Sequence, residues 1–174
     1  GAPHLFAEFG GMRFLQNQEM VSKLIDALNL PTVPFSAGNG QNYVYLRGSR
    51  FQMSQYSDSS IVPYALPPTE QGMAPSQLLL KGIETYVPNA PALTDEQWTK
   101  VKATATFGGQ LLRDQGYWNL IQAALSPEGY NLVADGVGYP SVAENWNAVE
   151  MMQNLAADFA PNSLYFTIPG GYAR

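Results

Sequence analysis

Cysteine is absent from the 174-residue chain, and histidine occurs once, at His4. The first absence removes disulfides, thiolate nucleophiles and cysteine metal sites. The second removes any metal centre built on several imidazoles, and a Ser-His-Asp triad would have to use His4 itself. Charge is scarce too: Asp, Glu, Lys and Arg make up 13% of the residues, against about 25% in ordinary soluble domains. The nine Lys and Arg are scattered, and under a net charge of −5 they form no basic stripe for nucleic acid. No apolar run approaches the roughly 18 residues that span a bilayer. The opening Gly1-Ala2-Pro3-His4 has neither the basic start nor the apolar core of a secretory signal, and it lacks Met, so it reads as a processed or excised end. The compartment is left open by these features, secretion and the periplasm included.

What is present is apolar. Hydrophobic residues make up 45% of the chain, which excludes an intrinsically disordered segment and suits one domain of ordinary size with a core. So little charge implies that something else covers much of the surface: more of the same chain, a partner subunit or a cofactor.

Periodicity and punctuation predict the elements. Asn17–Asn29 carries Met20, Val21, Leu24, Ile25 and Leu28 at helical spacing and stops at Pro31. After the loop Gly38-Asn39-Gly40, the runs Tyr43–Arg47 and Ser49–Met53 flank Gly48 and predict a β-hairpin. Pro63, Pro67, Pro68 and Pro75 make residues 57–75 an irregular connection. Helices then follow: one capped by Ser76, one opened by the capping box Thr94-Asp95-Glu96-Gln97, two short ones over 116–125 and 126–135, and a last one over about 142–158. Leu164–Ile168 reads as a strand ahead of Pro169-Gly170-Gly171. The expected fold is mainly α with a small β component. It divides into residues 1–72 (turn, helix and hairpin), a helical domain over 73–160 and a returning strand over 161–174.

Chemistry concentrates near the start. In Glu8-Phe9-Gly10-Gly11-Met12-Arg13 two glycines let main-chain amides approach a ligand, and the arginine that follows offers a planar fork for a carboxylate or phosphate. The same residues also fit a tight turn followed by a surface arginine. A second stretch, Glu144-Asn145-Trp146-Asn147, could face a ligand. It equally reads as the start of a helix, with Trp146, Val149 and Met152 in the core and Glu144 and Asn147 capping or solvated. Trp98 and Trp118 sit among apolar neighbours at helical spacing and read as core residues. His4 and Tyr172 read as structural.

The run Glu8–Arg13 resembles the flavin-contacting stretch of the L-amino acid oxidases and their tryptophan monooxygenase relatives. Further stretches follow in that family's order. Asn42–Gly48 is similar to the strand after its first helix. Pro67-Pro68-Thr69-Glu70-Gln71-Gly72 with Gln77-Leu78 resembles its entry to a helical domain. Gly116-Tyr117-Trp118-Asn119-Leu120, Gly138-Tyr139-Pro140-Ser141 and Asn145-Trp146-Asn147-Ala148 are similar to segments of bacterial and fungal members, and Ile168–Tyr172 to the turn re-entering the flavin domain. The resemblance implies FAD contact by Gly10, Gly11, Met12 and Arg13, and carboxylate binding by Arg13. Glu144 and Trp146 would lie near the substrate side chain, with an acidic Glu144 suiting a basic amino acid. No residue of the chain is assigned a catalytic role, and none a metal.

In this reading the chain comprises the helical domain and part of a substrate-binding domain, without the dinucleotide-binding core. The fingerprint Gly-x-Gly-x-x-Gly is missing, and Gly136-Val137-Gly138 is the nearest approach to it. The implied partners are the remaining flavin-domain segments or subunits, an L-amino acid and oxygen, with the full enzyme a homo-oligomer. The implied reaction is oxidative deamination to a 2-oxo acid, ammonia and hydrogen peroxide. Alternatives are a monooxygenase of the same fold and a non-catalytic helical interaction module.

Overall fold

The computed structural model describes residues 11–35, 40–137, 145–160 and 163–171. His4, Gly10, Glu144 and Tyr172, all singled out above, lie outside them. The described residues form six α-helices and seven short strands, mainly α with a small β component, as the periodicity predicts. They divide into two compact units, one of residues 1–38 with 161–174 and one of residues 39–160.

The described residues of the first unit form a three-stranded antiparallel sheet and one helix. Strand β7 (Tyr165–Thr167) lies between β1 (Phe14–Leu15) and β2 (Val33–Pro34). Helix α1 (Glu19–Ala27) links the two outer strands. It ends where Leu28 N–H donates to Leu24 O, after which Asn29 takes a left-handed conformation (φ 51°) and Pro31 follows. Phe14 and Phe166 on one sheet face pack with Ile25 and Ile168 into a small core. Of the five apolar positions that predict α1, only Ile25 is buried, while Met20 is 87% exposed and Leu24 and Leu28 are exposed as well. The 3.6-residue period predicts the helix correctly, but of its apolar stripe only Ile25 reaches this unit's core.

The second unit is helical: α2 (Pro75–Glu84), α3 (Asp95–Thr104), α4 (Tyr117–Ala124), α5 (Pro127–Val137) and α6 (Ala148–Asp158). Their apolar faces meet in one core in which Leu78, Leu79, Ile83, Ile121, Leu132, Val149, Met152 and Leu155 are fully buried. Trp98 and Trp118 are core residues, as their spacing predicts. The capping box also forms as predicted, with Thr94 Oγ1 accepting from Gln97 N at 3.3 Å and Gln97 Oε1 accepting from Thr94 N at 2.8 Å. Ser76, expected to cap α2, lies inside it. Pro75 takes the first helical position, where its missing N–H costs nothing, and Gln77 reaches back to the Ala74 amide. The fingerprint's nearest approach also resolves: Gly136 is interior to α5, and a Cβ there would run into Pro75 of α2, so this glycine lets two helices approach.

The predicted hairpin forms from β3 (Tyr43–Leu46) and β4 (Ser49–Gln52), and it packs its Leu46 and Phe51 into the helical core. A second hairpin, β5 (Thr106–Phe107) and β6 (Gln110–Leu111), turns on Gly108 and Gly109 (φ 60° and 80°). Only the glycine pair marks it in the sequence, because two-residue strands carry no readable alternation.

Between β4 and α2 the chain runs through turns, and one side chain secures it. Glu70 is 4% exposed and accepts from Ser126 N at 2.9 Å and from Ser126 Oγ at 2.5 Å. Ser126 Oγ in turn accepts from Gly129 N at 2.9 Å, so the carboxylate and the cap together satisfy the amino end of α5. A Cβ on Gly129 would overlap Glu70 Oε2. Replacing Glu70 by Ala removes the acceptor of two part-buried Ser126 donors and is expected to lower stability by about 1–3 kcal/mol in urea unfolding. Gly129→Ala is expected to destabilise the parent and to cost measurably less in the Glu70→Ala background. Additive effects would dissociate the glycine from the carboxylate.

Candidate functional site

The Gly11-Met12-Arg13 stretch leads into β1. Gly11 is exposed, and among the described residues a Cβ built on it meets nothing within 4 Å, which leaves its main chain open to approach from them. Met12 is exposed, and its carbonyl accepts from Thr167 Oγ1 at 2.8 Å, which ties the stretch to the central strand.

Arg13 is half-buried for a reason set by the sheet. Leu15 pairs opposite Tyr165, and the Phe35 amide donates to Tyr165 O at 2.8 Å. Opposed residues of an antiparallel sheet share a face. Tyr165, Leu15 and Phe35 therefore lie on one side, while Phe14 and Phe166 point to α1 on the other. Arg13, two residues before Leu15, falls on the Tyr165 side. Its guanidinium carbon lies 4.6 Å from the Tyr165 ring centre and 5.8 Å from that of Phe35, both within cation–π range. Phe35 and Tyr165 were not picked out from the sequence. Tyr165 sits in a predicted strand, but nothing local pairs a strand at 165 with residues 13 and 35.

Trp146 belongs to the other compact unit and is 52% exposed. The reading that buries it in a helix core is corrected: α6 begins at Ala148, and Asn147 caps it by accepting from Glu150 N at 3.2 Å. Val149 and Met152 are core, as that same reading has them. The backbone at Trp146 is firmly held, its carbonyl accepting from Tyr117 N at 2.9 Å. On one side Asn145 accepts from Trp118 N at 3.1 Å and donates to the Asn119 side chain, and on the other Asn147 donates to Arg113 O at 2.6 Å. A Cβ on Gly116 would collide with the Asn145 side chain. The stretches 116–119 and 145–148, noted separately in the sequence, thus form one joint. Trp146 is exposed on a hydrogen-bonded main chain, in contrast to the buried Trp98 and Trp118.

A third of the noted stretches, 42–48, carries an ion pair. Arg47 occupies the β3–β4 turn at φ 46°, a conformation that costs a non-glycine residue about 1 kcal/mol or more. Its guanidinium forks onto Glu128 at 2.6 and 3.1 Å and lies 4.0 Å from the centre of the Tyr64 ring, whose hydroxyl donates to Asp135 at 2.6 Å. The hydrogen bond from Arg47, then that from Asn131, brings the Glu128 carboxyl from its ordinary 4.5 down to about 2. Burial, then the bond to Asp135, pushes the Tyr64 hydroxyl up.

No family model matches the chain, and no curated protein matches it. Among the described residues no cluster of acidic and histidine side chains could hold a metal ion, and no helix is long and apolar enough to cross a membrane.

The Glu128 pair predicts a pH dependence. A depressed carboxyl stabilises the fold above its unfolded value, and that contribution is lost as pH falls from 4.5 toward about 2. Near neutral pH, Glu128→Gln is expected to unfold at lower urea than the parent, with the gap closing across that acid window. A gap of constant size at every pH would remove the ion pair as its cause.

Proposed function

We propose that this chain is part of an FAD-dependent L-amino acid oxidase in which Arg13 binds the substrate carboxylate. One observation carries the reading. The residue to which the family resemblance assigns the carboxylate is held on a sheet face against two aromatic rings, beside a stretch whose main chain the described residues leave open to approach. A guanidinium fixed in this way is suited to bidentate recognition, because its donors lie in a rigid plane matched to a carboxylate.

The residues present fit FAD at the level of this stretch. Gly11 and Met12 would lie against the ring system, since both are exposed and Gly11 has no side chain to hold it off. FAD, when bound, supplies the two-electron acceptor for oxidation of the amino acid to an imino acid, whose hydrolysis gives a 2-oxo acid and ammonia while oxygen is reduced to hydrogen peroxide. The contribution of this chain is placement: clamping the carboxylate fixes where Cα lies. Trp146, Glu144 and Gly10 retain the substrate and cofactor roles that the resemblance implies. Met20, Leu24 and Leu28, spaced along one exposed side of α1, support burial of that side by remaining flavin-domain segments or subunits of a homo-oligomeric enzyme.

Arg13→Ala in the intact enzyme is expected to raise KM for the amino acid about ten- to a hundred-fold, with Arg13→Lys intermediate. Visible flavin absorbance should be retained in both, and product analysis should show a 2-oxo acid and hydrogen peroxide. An unchanged KM would take Arg13 out of the clamp. A shortened amide product would make the enzyme a monooxygenase, and purified protein with no flavin band would favour the interaction module.

A further inference from the structure

The clamp described above consists of one side chain, and an arginine by itself is a flexible device. Its guanidinium hangs on a stem with several rotatable bonds, and freezing those on ligand binding costs affinity. What the sheet adds is a pair of rings on the same face. Tyr165 comes from the central strand and Phe35 from the residue after the far edge strand, while Arg13 enters from the opposite edge. The three are brought together from positions 13, 35 and 165 by β7 pairing on both sides.

We infer that Tyr165 and Phe35 are positioning residues, forming an aromatic shelf that pre-orients the Arg13 guanidinium for an amino acid's carboxylate. The inference rests on the clamp reading of Arg13 and goes beyond it by assigning two residues that act only through that arginine. Cation–π attraction engages the positive centre of the guanidinium from the ring face, whereas a carboxylate is recognised along the N–H donors in the guanidinium plane. The two interactions are therefore compatible and can operate together. The Tyr165 carbonyl accepts from Phe35 N, and Thr167 Oγ1 donates to the Met12 carbonyl, so a backbone bond holds the two shelf strands together and a side-chain bond holds the stretch that carries Arg13.

The test is a double-mutant cycle on the intact FAD-loaded enzyme, with benzoate as the carboxylate probe and its Kd read by calorimetry. Tyr165→Leu is expected to weaken benzoate binding about three- to thirty-fold and to raise KM with a smaller effect on kcat, while Tyr165→Phe, which keeps the ring, stays near the parent. Phe35→Leu should act in the same direction more weakly, in line with its longer distance, and serves if Tyr165→Leu fails to fold. In the Arg13→Ala background neither leucine variant should weaken binding further. Equal losses with and without Arg13, or parent-like binding by both leucine variants while Arg13→Ala binds poorly, would overturn the shelf and leave the clamp standing. A parent enzyme that binds no benzoate, or an Arg13→Ala variant that binds it normally, would remove the clamp and the shelf with it.

Discussion

Strand β7 donates and accepts backbone hydrogen bonds on both sides, and the surroundings of the candidate site follow from that pairing. Its residues stand opposite β1 on one side and β2 on the other. With the register set, alternation sends Phe166 toward α1 and Tyr165 to the opposite face, where Arg13 and Phe35 meet it. A slip by one residue would exchange the two faces, placing Phe166 under the guanidinium and Tyr165 in the small core. The strand is three residues long, so its placement draws on the turn bond from Gly171 N to Ile168 O, the Thr167 bond to Met12 and the packing of Ile168.

The helical unit is organised around an acid. Glu70 occupies the amino end of α5, where unpaired amides need acceptors, and its carboxyl group is buried there on bonds from Ser126, with no ion pair among the described residues. The irregular proline-containing segment is thereby fastened to a helix more than 50 residues later. Arg47 and Glu128 secure the hairpin to the same helix, which is how an arginine persists in a left-handed turn position better suited to Asn or Gly. Asn145 and Asn147 do similar work between α4 and α6, and their side chains present the Trp146 backbone in a defined position. Tyr117, the first residue of α4, is fully buried with a hydroxyl that finds no partner among the described residues, and that burial pushes its ionisation up.

Much of this was readable from residues close in sequence. A capping box is a four-residue pattern whose partners are three positions apart, so Thr94 and Gln97 could be paired by inspection. Gly48 between two alternating runs specified a hairpin, and Trp98 and Trp118 declared their burial by spacing. Trp146 did not, because the helix that would have buried it begins two residues later, at an asparagine cap whose signal is no stronger than that of its neighbours. The apolar stripe of α1 was equally visible, but periodicity reports that a side is apolar and not what covers it.

The candidate site divides along the same line. Gly11, Met12 and Arg13 are adjacent in the chain, so a main chain bare of side chain beside a guanidinium is a local feature legible in the sequence. Helix content, the sparse β component and the absence of cysteine chemistry are likewise matters of composition and short-range pattern. Tertiary structure alone decided that Tyr165 and Phe35 stand under Arg13, that Glu70 feeds the amino end of α5 and that the 116–119 and 145–148 stretches form one joint. Each of these is a pairing between residues tens to more than a hundred positions apart. Such pairings are selected by strand register and by the burial of polar groups that must find partners, and neither quantity is written in any window of consecutive residues.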